Sequence, residues 1–189
     1  MKIWSFSVLY FIGFLTFCQI GLAAPAQVVI IRHAEKNNNI DPNLSPRGRD
    51  RANALISFFL TNPELASLSS PIAIFATEPK TAGSLRPIQT VTPLAEAIGI
   101  NVNHDFTKEK ILAMADYIMK NSDYNGYTVI ISSVHDSIPA LTAKFGYLSA
   151  PTKWKANVFD RAWILKFSDN KVISFKNIPQ HLLPGDSLN

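Results

Sequence analysis

The sequence predicts a three-layer α/β/α fold with a mostly parallel central sheet, and three observations lead there. Short apolar runs, "VVII" (28–31), "IAIFA" (72–76) and "YTVIISS" (127–133), read as strands covered on both faces. A segment with helical periodicity follows each of them, and strands alternating with helices imply parallel neighbours with helices on both sides. The first run also passes straight into Arg32-His33. Charges there are costly to desolvate without a partner, and the C-terminal ends of parallel strands are where open α/β sheets bind ligands.

The first element is set apart from the fold. Met1-Lys2, an apolar run from Ile3 to Phe17 and the small-residue stretch "CQIGLAAPAQ" have the pattern of a secretory signal. Cleavage is expected after Ala23, with Ala26 as second choice, because Pro25 disfavours cleavage after Ala24. The run is short for crossing ~30 Å of hydrocarbon, so a cleaved signal is preferred to a stable membrane anchor. Phe17 argues against lipid attachment at Cys18. The expected product is residues 24–189, one exported domain of 166 residues, periplasmic or secreted. Cys18, the only cysteine, leaves with the signal. Disulfides, thiol nucleophiles, zinc–cysteine sites and iron–sulfur clusters leave with it. Net charge falls from +4 to +3 with the loss of Lys2, and no basic block suggests nucleic acid.

Within the domain, the polar loop "NNNIDPN" follows the first strand. "LSPRGRDRANALISFFL" then reads as a helix with Ser45 as N-cap and Pro46 at its first position. After "IAIFA" and the loop "TEPKTAG", the stretch "SLRPIQTVTPLAEAIG" predicts a helix opened near Pro87, interrupted at Pro93 and ended at Gly99. "INVNH" is a short strand, "KEKILAMADYIMKN" an amphipathic helix, and "PALTAKFG" a helix after the third strong strand. Finally, "RAWILKF" and "KVISFKN" flank "SDN" as a hairpin.

Two of the strong strands end in histidine-bearing segments, Arg32-His33 and His135-Asp136. The third leads into the loop that presents Ser84 and Arg86. If the strands are parallel, all three segments emerge at one edge of the sheet. Two arginines around one site imply an anion, since each guanidinium presents a fork of donors suited to phosphate oxygens. A histidine beside them can attack phosphorus, and a second can donate to the equatorial oxygens.

"IRHAEK", "LSPRG", "SLRPIQT" and "SSVHDSIPAL", in that order, resemble the motifs of the histidine phosphatase superfamily, with its phosphoglycerate mutase-like fold. The resemblance spans nearly the whole of residues 24–189. It implies that His33 is the phosphorylated nucleophile and that Arg32, Arg86 and His135 complete a phosphate pocket. It also implies that Asp136, like the aspartate of the His-Asp pair in the acid-phosphatase branch, donates the proton to the leaving group. Ala34 stands where the family has glycine, which is tolerable if the backbone there keeps φ negative. The loop before Arg86 is longer than in many relatives. No insertion large enough to form a cap is present, as in the small, minimal members, some of them exported. The expected activity is that of a phosphomonoesterase without metal or other cofactor, acting on a small phosphorylated metabolite or glycan. A phosphomutase and a non-catalytic phosphate-binding protein are the alternatives.

The remaining candidates have competing readings. Glu35 either helps orient the site or pairs with Lys36 or Arg47. Asn39 falls where relatives place a phosphate-contacting residue, yet "NNN" reads as a solvated loop. Asp136 competes with Glu35, Asp105 and Glu109 as proton donor, and with Ser137 as a helix cap. His104 and His181 are expected at the surface. "HAE" also occurs in zinc deaminases, but those need a Pro-Cys-x-x-Cys partner that this chain lacks.

Overall fold

Strand β1 (Gln27–Arg32) is buried along its whole length, and its alternation decides the layering. In a computed structural model describing residues 24–66, 71–80 and 83–187, Val28 and Ile30 point into one core and Val29 and Ile31 into the other. The expected signal, residues 1–23, lies outside the described residues. No helix among those described is long and apolar enough to cross a membrane.

The remaining elements are helix α1 (Pro46–Thr61), the single turn α2 (Pro63–Ala66), β2 (Pro71–Ala76), α3 (Arg86–Ile98), β3 (Val102–Asn103), α4 (Ile111–Lys120), β4 (Thr128–Ser133), α5 (Ile138–Lys144), β5 (Arg161–Ser168) and β6 (Lys171–Pro179). The sheet order is β3-β2-β4-β1-β5-β6. β3, β2, β4 and β1 run parallel, while β5 and β6 are antiparallel additions at one edge. Helices α1 and α3 cover one face through Leu55, Phe58, Phe59, Val91 and Leu94. Helices α4 and α5 cover the other through Met114, Ile118 and Leu141. Each such side chain contributes roughly 1.5–3 kcal/mol on burial. The three-layer architecture is therefore as expected, with a mixed rather than wholly parallel sheet.

One expectation fails. Helix α3 is not interrupted at Pro93 but runs through it. Proline costs such a helix ~3 kcal/mol and one hydrogen bond. Here Val91, Leu94 and Ala95 are buried against the sheet on either side of it, and that packing outweighs the loss. Gly99 ends the helix in the left-handed region at φ 71°. The β5–β6 turn is the two-residue Asp169-Asn170, both at positive φ (50° and 62°), as a hairpin of matching twist requires.

Candidate active site

The parallel register sets the site. Arg32 at the end of β1 pairs with Ser133 of β4. His33 N–H then donates to the Ser133 carbonyl at 2.9 Å, and Thr77 N–H after β2 donates to the Ser132 carbonyl at 3.0 Å. Three strand ends are thereby tied together at one edge of the sheet.

His33 is 3% exposed, and its Nδ1 lies 2.7 Å from the Ala34 carbonyl. A carbonyl only accepts, so Nδ1 carries the proton and Nε2 keeps its lone pair. Burial lowers the His33 pKa to about 4; the Ala34 bond opposes this, while Arg32, Arg86 and Lys36 add to it. The ring is therefore a neutral base at physiological pH, with Nε2 as its free nucleophilic atom. Ala34 is not among the residues at positive φ, so its Cβ is accommodated without strain.

Arg32 is fully buried. Its Nη1 donates to the carbonyls of Ala156 (2.6 Å) and Val158 (2.9 Å), and its guanidinium lies 3.8 Å over the Phe159 ring. Nε has no hydrogen-bond partner among the described residues. Burial, then Arg86, lowers its pKa to about 10, against the opposing charges of Glu35 and Asp136. Arg86, the first residue of α3, donates through Nη2 to the Asp41 carbonyl at 2.6 Å and likewise leaves a buried Nε unpaired. Two buried guanidiniums with unused donors form a site short of an anion.

His135 is half-buried, with its pKa lowered by burial and then by Arg32, Lys36 and Lys108, against Asp136. It thus shares the field of the same cations. Asp136 is exposed and hydrogen-bonded to Lys108 Nζ. Burial works to raise its pKa, but the Lys108 bond and charge, and then His135, hold it below the usual carboxylate range. The residue preceding α5 is Ser137, and it makes no side-chain cap bond.

The other candidates sit around this group or away from it. Glu35 faces backwards: its carboxylate pairs with Arg47 and with both nitrogens of the Arg51 fork. Asn39 is exposed and takes a hydrogen bond from Lys36 Nζ. The Ser84 hydroxyl lies 3.4 Å from Arg86 N–H and lines a cavity of about 300 Å³ with Lys108, Glu109 and Val134, next to His135. Asp105 is exposed and bonded within its own turn to Asn103. Glu109 pairs with Lys80. His104 is bound to Glu78 at the surface, and His181 is exposed. A larger cavity, about 560 Å³, lies behind the 37–43 loop between α1 and α3 and touches neither histidine.

Four features escaped the sequence. Thr90 Oγ1 accepts from Ala34 N–H at 2.8 Å and donates to the Arg86 carbonyl at 2.7 Å, clamping the histidine loop to the arginine helix. Its position one turn after Arg86 is the signal that was available. Lys36 adds a cation whose pKa is lowered by burial, Arg86 and Arg32. Phe159 lies under Arg32 and beside His33, at 5.9 Å between ring centroids; no local pattern marks it. The motif "LSPRG" does more than cap α1. Ser45 N–H donates to the Glu35 carbonyl, and a Cβ on Gly48 would stand 2.3 Å from that oxygen. Only glycine lets α1 approach so closely.

No protein-family model and no curated protein matches the sequence. Solved structures do resemble the chain. A phosphoglycerate mutase from Bacillus anthracis superposes with TM-score 0.58 at 10% identity, over 84% of this chain and 94% of that one. A phosphoglycerate mutase from Plasmodium falciparum gives 0.54 at 13%, over 86% and 96%. The alpha-ribazole phosphatase from Shigella flexneri gives 0.51 at 13%, over 77% and 92%. The chain has the phosphoglycerate mutase-like fold. At such identities the likeness speaks for the fold, and the chemistry has to be argued from the side chains.

Proposed function

We propose that the protein is a phosphomonoesterase working through a phosphohistidine on a small phosphorylated metabolite or glycan. The observation that carries this reading is the state of His33: neutral, with Nε2 unprotonated, beside two buried arginines whose Nε atoms lack partners. A simple phosphate binder needs the arginines but gains nothing from an unprotonated histidine that cannot donate to the anion.

In the proposed cycle, Arg32 and Arg86 hold the phosphate oxygens while His33 Nε2 attacks phosphorus. A P–N bond forms and the P–O ester bond breaks. Asp136 in its protonated form gives its proton to the leaving alkoxide. Water then attacks the phosphohistidine, its proton passes to the Asp136 carboxylate, the P–N bond breaks, and inorganic phosphate leaves. His135, when protonated, donates to the equatorial oxygens. Because Asp136 and His135 both have lowered pKa values, the free enzyme is poised for acid pH, and an incoming phosphate dianion raises both toward neutrality.

Hydrolysis is preferred to mutase chemistry because among the described residues no large insertion stands over the site to retain a phosphorylated intermediate. Export to the periplasm or outside the cell remains part of the reading, on the strength of the Ile3–Phe17 run and the small residues after it. Rapid acid-free quenching with radiolabelled phosphate ester tests the chemistry: label should remain on the chain and be lost in acid. Turnover without label, or tight phosphate binding without turnover, would refute it. N-terminal sequencing of exported material tests the export, with Ala24 as the expected first residue.

A further inference from the structure

A second cluster of cations lies on the far side of the segment that holds Arg32. Arg161, at the start of β5, is anchored by Nε to Asn177 Oδ1 (2.9 Å) and by Nη2 to the Asn177 carbonyl (2.6 Å). Its Nη1 is buried and has no hydrogen-bond partner among the described residues. Asp160, the acid beside it in the chain, supports the Arg161 charge from a distance but makes no ion pair with it: its Oδ2 accepts from Ser187 N–H and, at 2.8 Å, from Ser187 Oγ. Arg161 lines a cleft of about 420 Å³ with Lys153, Lys155, Trp154, Trp163 and Asn177. Among the described residues no carboxylate lines it, and no ion pair involves Lys153, Lys155 or Arg161.

A buried guanidinium nitrogen without an acceptor is costly, and two uncompensated lysines beside it add to the positive potential. The tryptophans give the same cleft an apolar wall. Its size suits one small molecule. We propose that this cleft is a second binding site, for an organic anion whose phosphate or phosphonate head meets Arg161 Nη1 between Lys153 and Lys155 and whose apolar or ring body lies against Trp154 and Trp163. It is separate from the histidine pocket, and its existence does not depend on the reaction proposed above.

The two sites share a wall. Trp154 Nε1 donates to the Val158 carbonyl at 2.9 Å, the same oxygen that accepts from Arg32 Nη1. Lys155, which lines the cleft, turns its own carbonyl toward Arg32 at 3.4 Å. An occupant that orders residues 154–158 therefore orders the acceptors of Arg32.

Two of the chain's three tryptophans line the cleft, so intrinsic fluorescence reports on it directly. The full-length protein is titrated with phenylphosphonate, which a phosphatase cannot hydrolyse, in a low-salt, phosphate-free buffer. A saturable fluorescence change is expected. Arg161→Gln should weaken its midpoint about tenfold or more, the scale of one lost charge-assisted bond. Arg86→Ala, which alters only the histidine pocket, should leave it unchanged. If Arg161→Gln does not fold, the exposed pair Lys153→Gln with Lys155→Gln should weaken the midpoint at least threefold. A response that survives these changes, or that disappears in Arg86→Ala, overturns the proposal. Inorganic phosphate should bind more weakly than phenylphosphonate; equal affinity would overturn the assignment of an apolar body.

Discussion

Arg32 and Arg51 are buried to nearly the same depth, 1% and 2% exposed, yet the protein neutralises only one of them. Arg51 is met by Glu35 at 2.7 Å, by Asp186 at 2.6 Å and by Gln180 at 3.1 Å. Burial works against its charge, but the Asp186 and Glu35 hydrogen bonds outweigh that and raise its pKa. Arg32 is met by carbonyl oxygens and a ring, keeps an unpaired Nε, and has its pKa lowered. Burial alone therefore distinguishes nothing. The difference lies in compensation: one arginine completes the fold, and the other, on the function proposed above, is completed by a ligand.

The largest effect should come from His33, the residue next to Arg32. His33→Ala is expected to lower turnover on the order of 10⁵-fold or more, since both steps of the proposed cycle pass through its Nε2. The acid-labile phosphate label should vanish with it, while the fold stays intact by circular dichroism. Turnover within tenfold of wild type would mean that a different group attacks phosphorus.

Next in size is the contrast between the arginines themselves. Arg51→Met takes the buried cation from Glu35 and Asp186 and leaves them only the part-exposed Arg47, and should cost about 3 kcal/mol in urea unfolding. Arg32→Met removes a charge held by no direct ion pair among the described residues and frees the Ala156 and Val158 carbonyls, so its cost should stay at about 1–2 kcal/mol. Phosphate should tell the opposite story. At 100 times its Kd it should stabilise the wild type by about 2.7 kcal/mol, and Arg32→Met should abolish that gain. If Arg32→Met unfolds as readily as Arg51→Met, Arg32 belongs to the frame and not to the ligand.

Asp136→Asn probes the edge of the site. A proton donor matters most for a poor leaving group, so the variant should lose about 10²-fold on an alkyl phosphate and only a few-fold on nitrophenyl phosphate. It should also remove the fall in alkyl-ester rate as pH rises through the carboxylate's pKa. Equal losses on both esters would instead make the Lys108 ion pair a prop for the loop.

Much of this was legible in the sequence because it rests on local pattern. "VVII", "IAIFA" and "VIISS" are strands whichever partners they find, and parallel order alone brings Arg32, His33, Arg86 and His135 to one edge. What stayed hidden depends on residues remote in the chain. Phe159 reaches Arg32 across the fold, and Asp186 reaches Arg51 over 135 positions; neither stands in a motif. Pro93 misled for the complementary reason. Its local preference is to break a helix, and burial of Val91, Leu94 and Ala95 overrides it. Glu35 admits two readings from the local sequence; the expected pair with Arg47 forms, and Arg51, 16 positions away, adds the buried partner that no motif marks.

The smallest expected effect separates the two regions by pH. His33 has a folded pKa of about 4 against ~6.5 when unfolded. Between those values the unfolded chain binds more protons than the native one, so stability rises with pH across that window. The contribution is complete above about pH 6.5 and is lost as pH falls toward 4, amounting to at most about 3 kcal/mol for a shift of this size. His135, also lowered, acts with the same sign, so the His33 share is isolated by subtracting the curve of His33→Gln. The Arg51 cluster behaves differently. Burial pushes the Asp186 pKa up, but bonds from Arg51 and from the Leu182 and Leu183 N–H groups leave it lowered overall. Its contribution is full above the ordinary carboxylate pKa of ~3.9 and fades only in stronger acid. Acidification from pH 7 to 4.5 should therefore weaken the wild type more than His33→Gln, with little change at the Arg51 cluster. Parallel stability curves for the two proteins over that range would show that His33 is not held neutral by its surroundings, and with that the case for a free Nε2 nucleophile would fall.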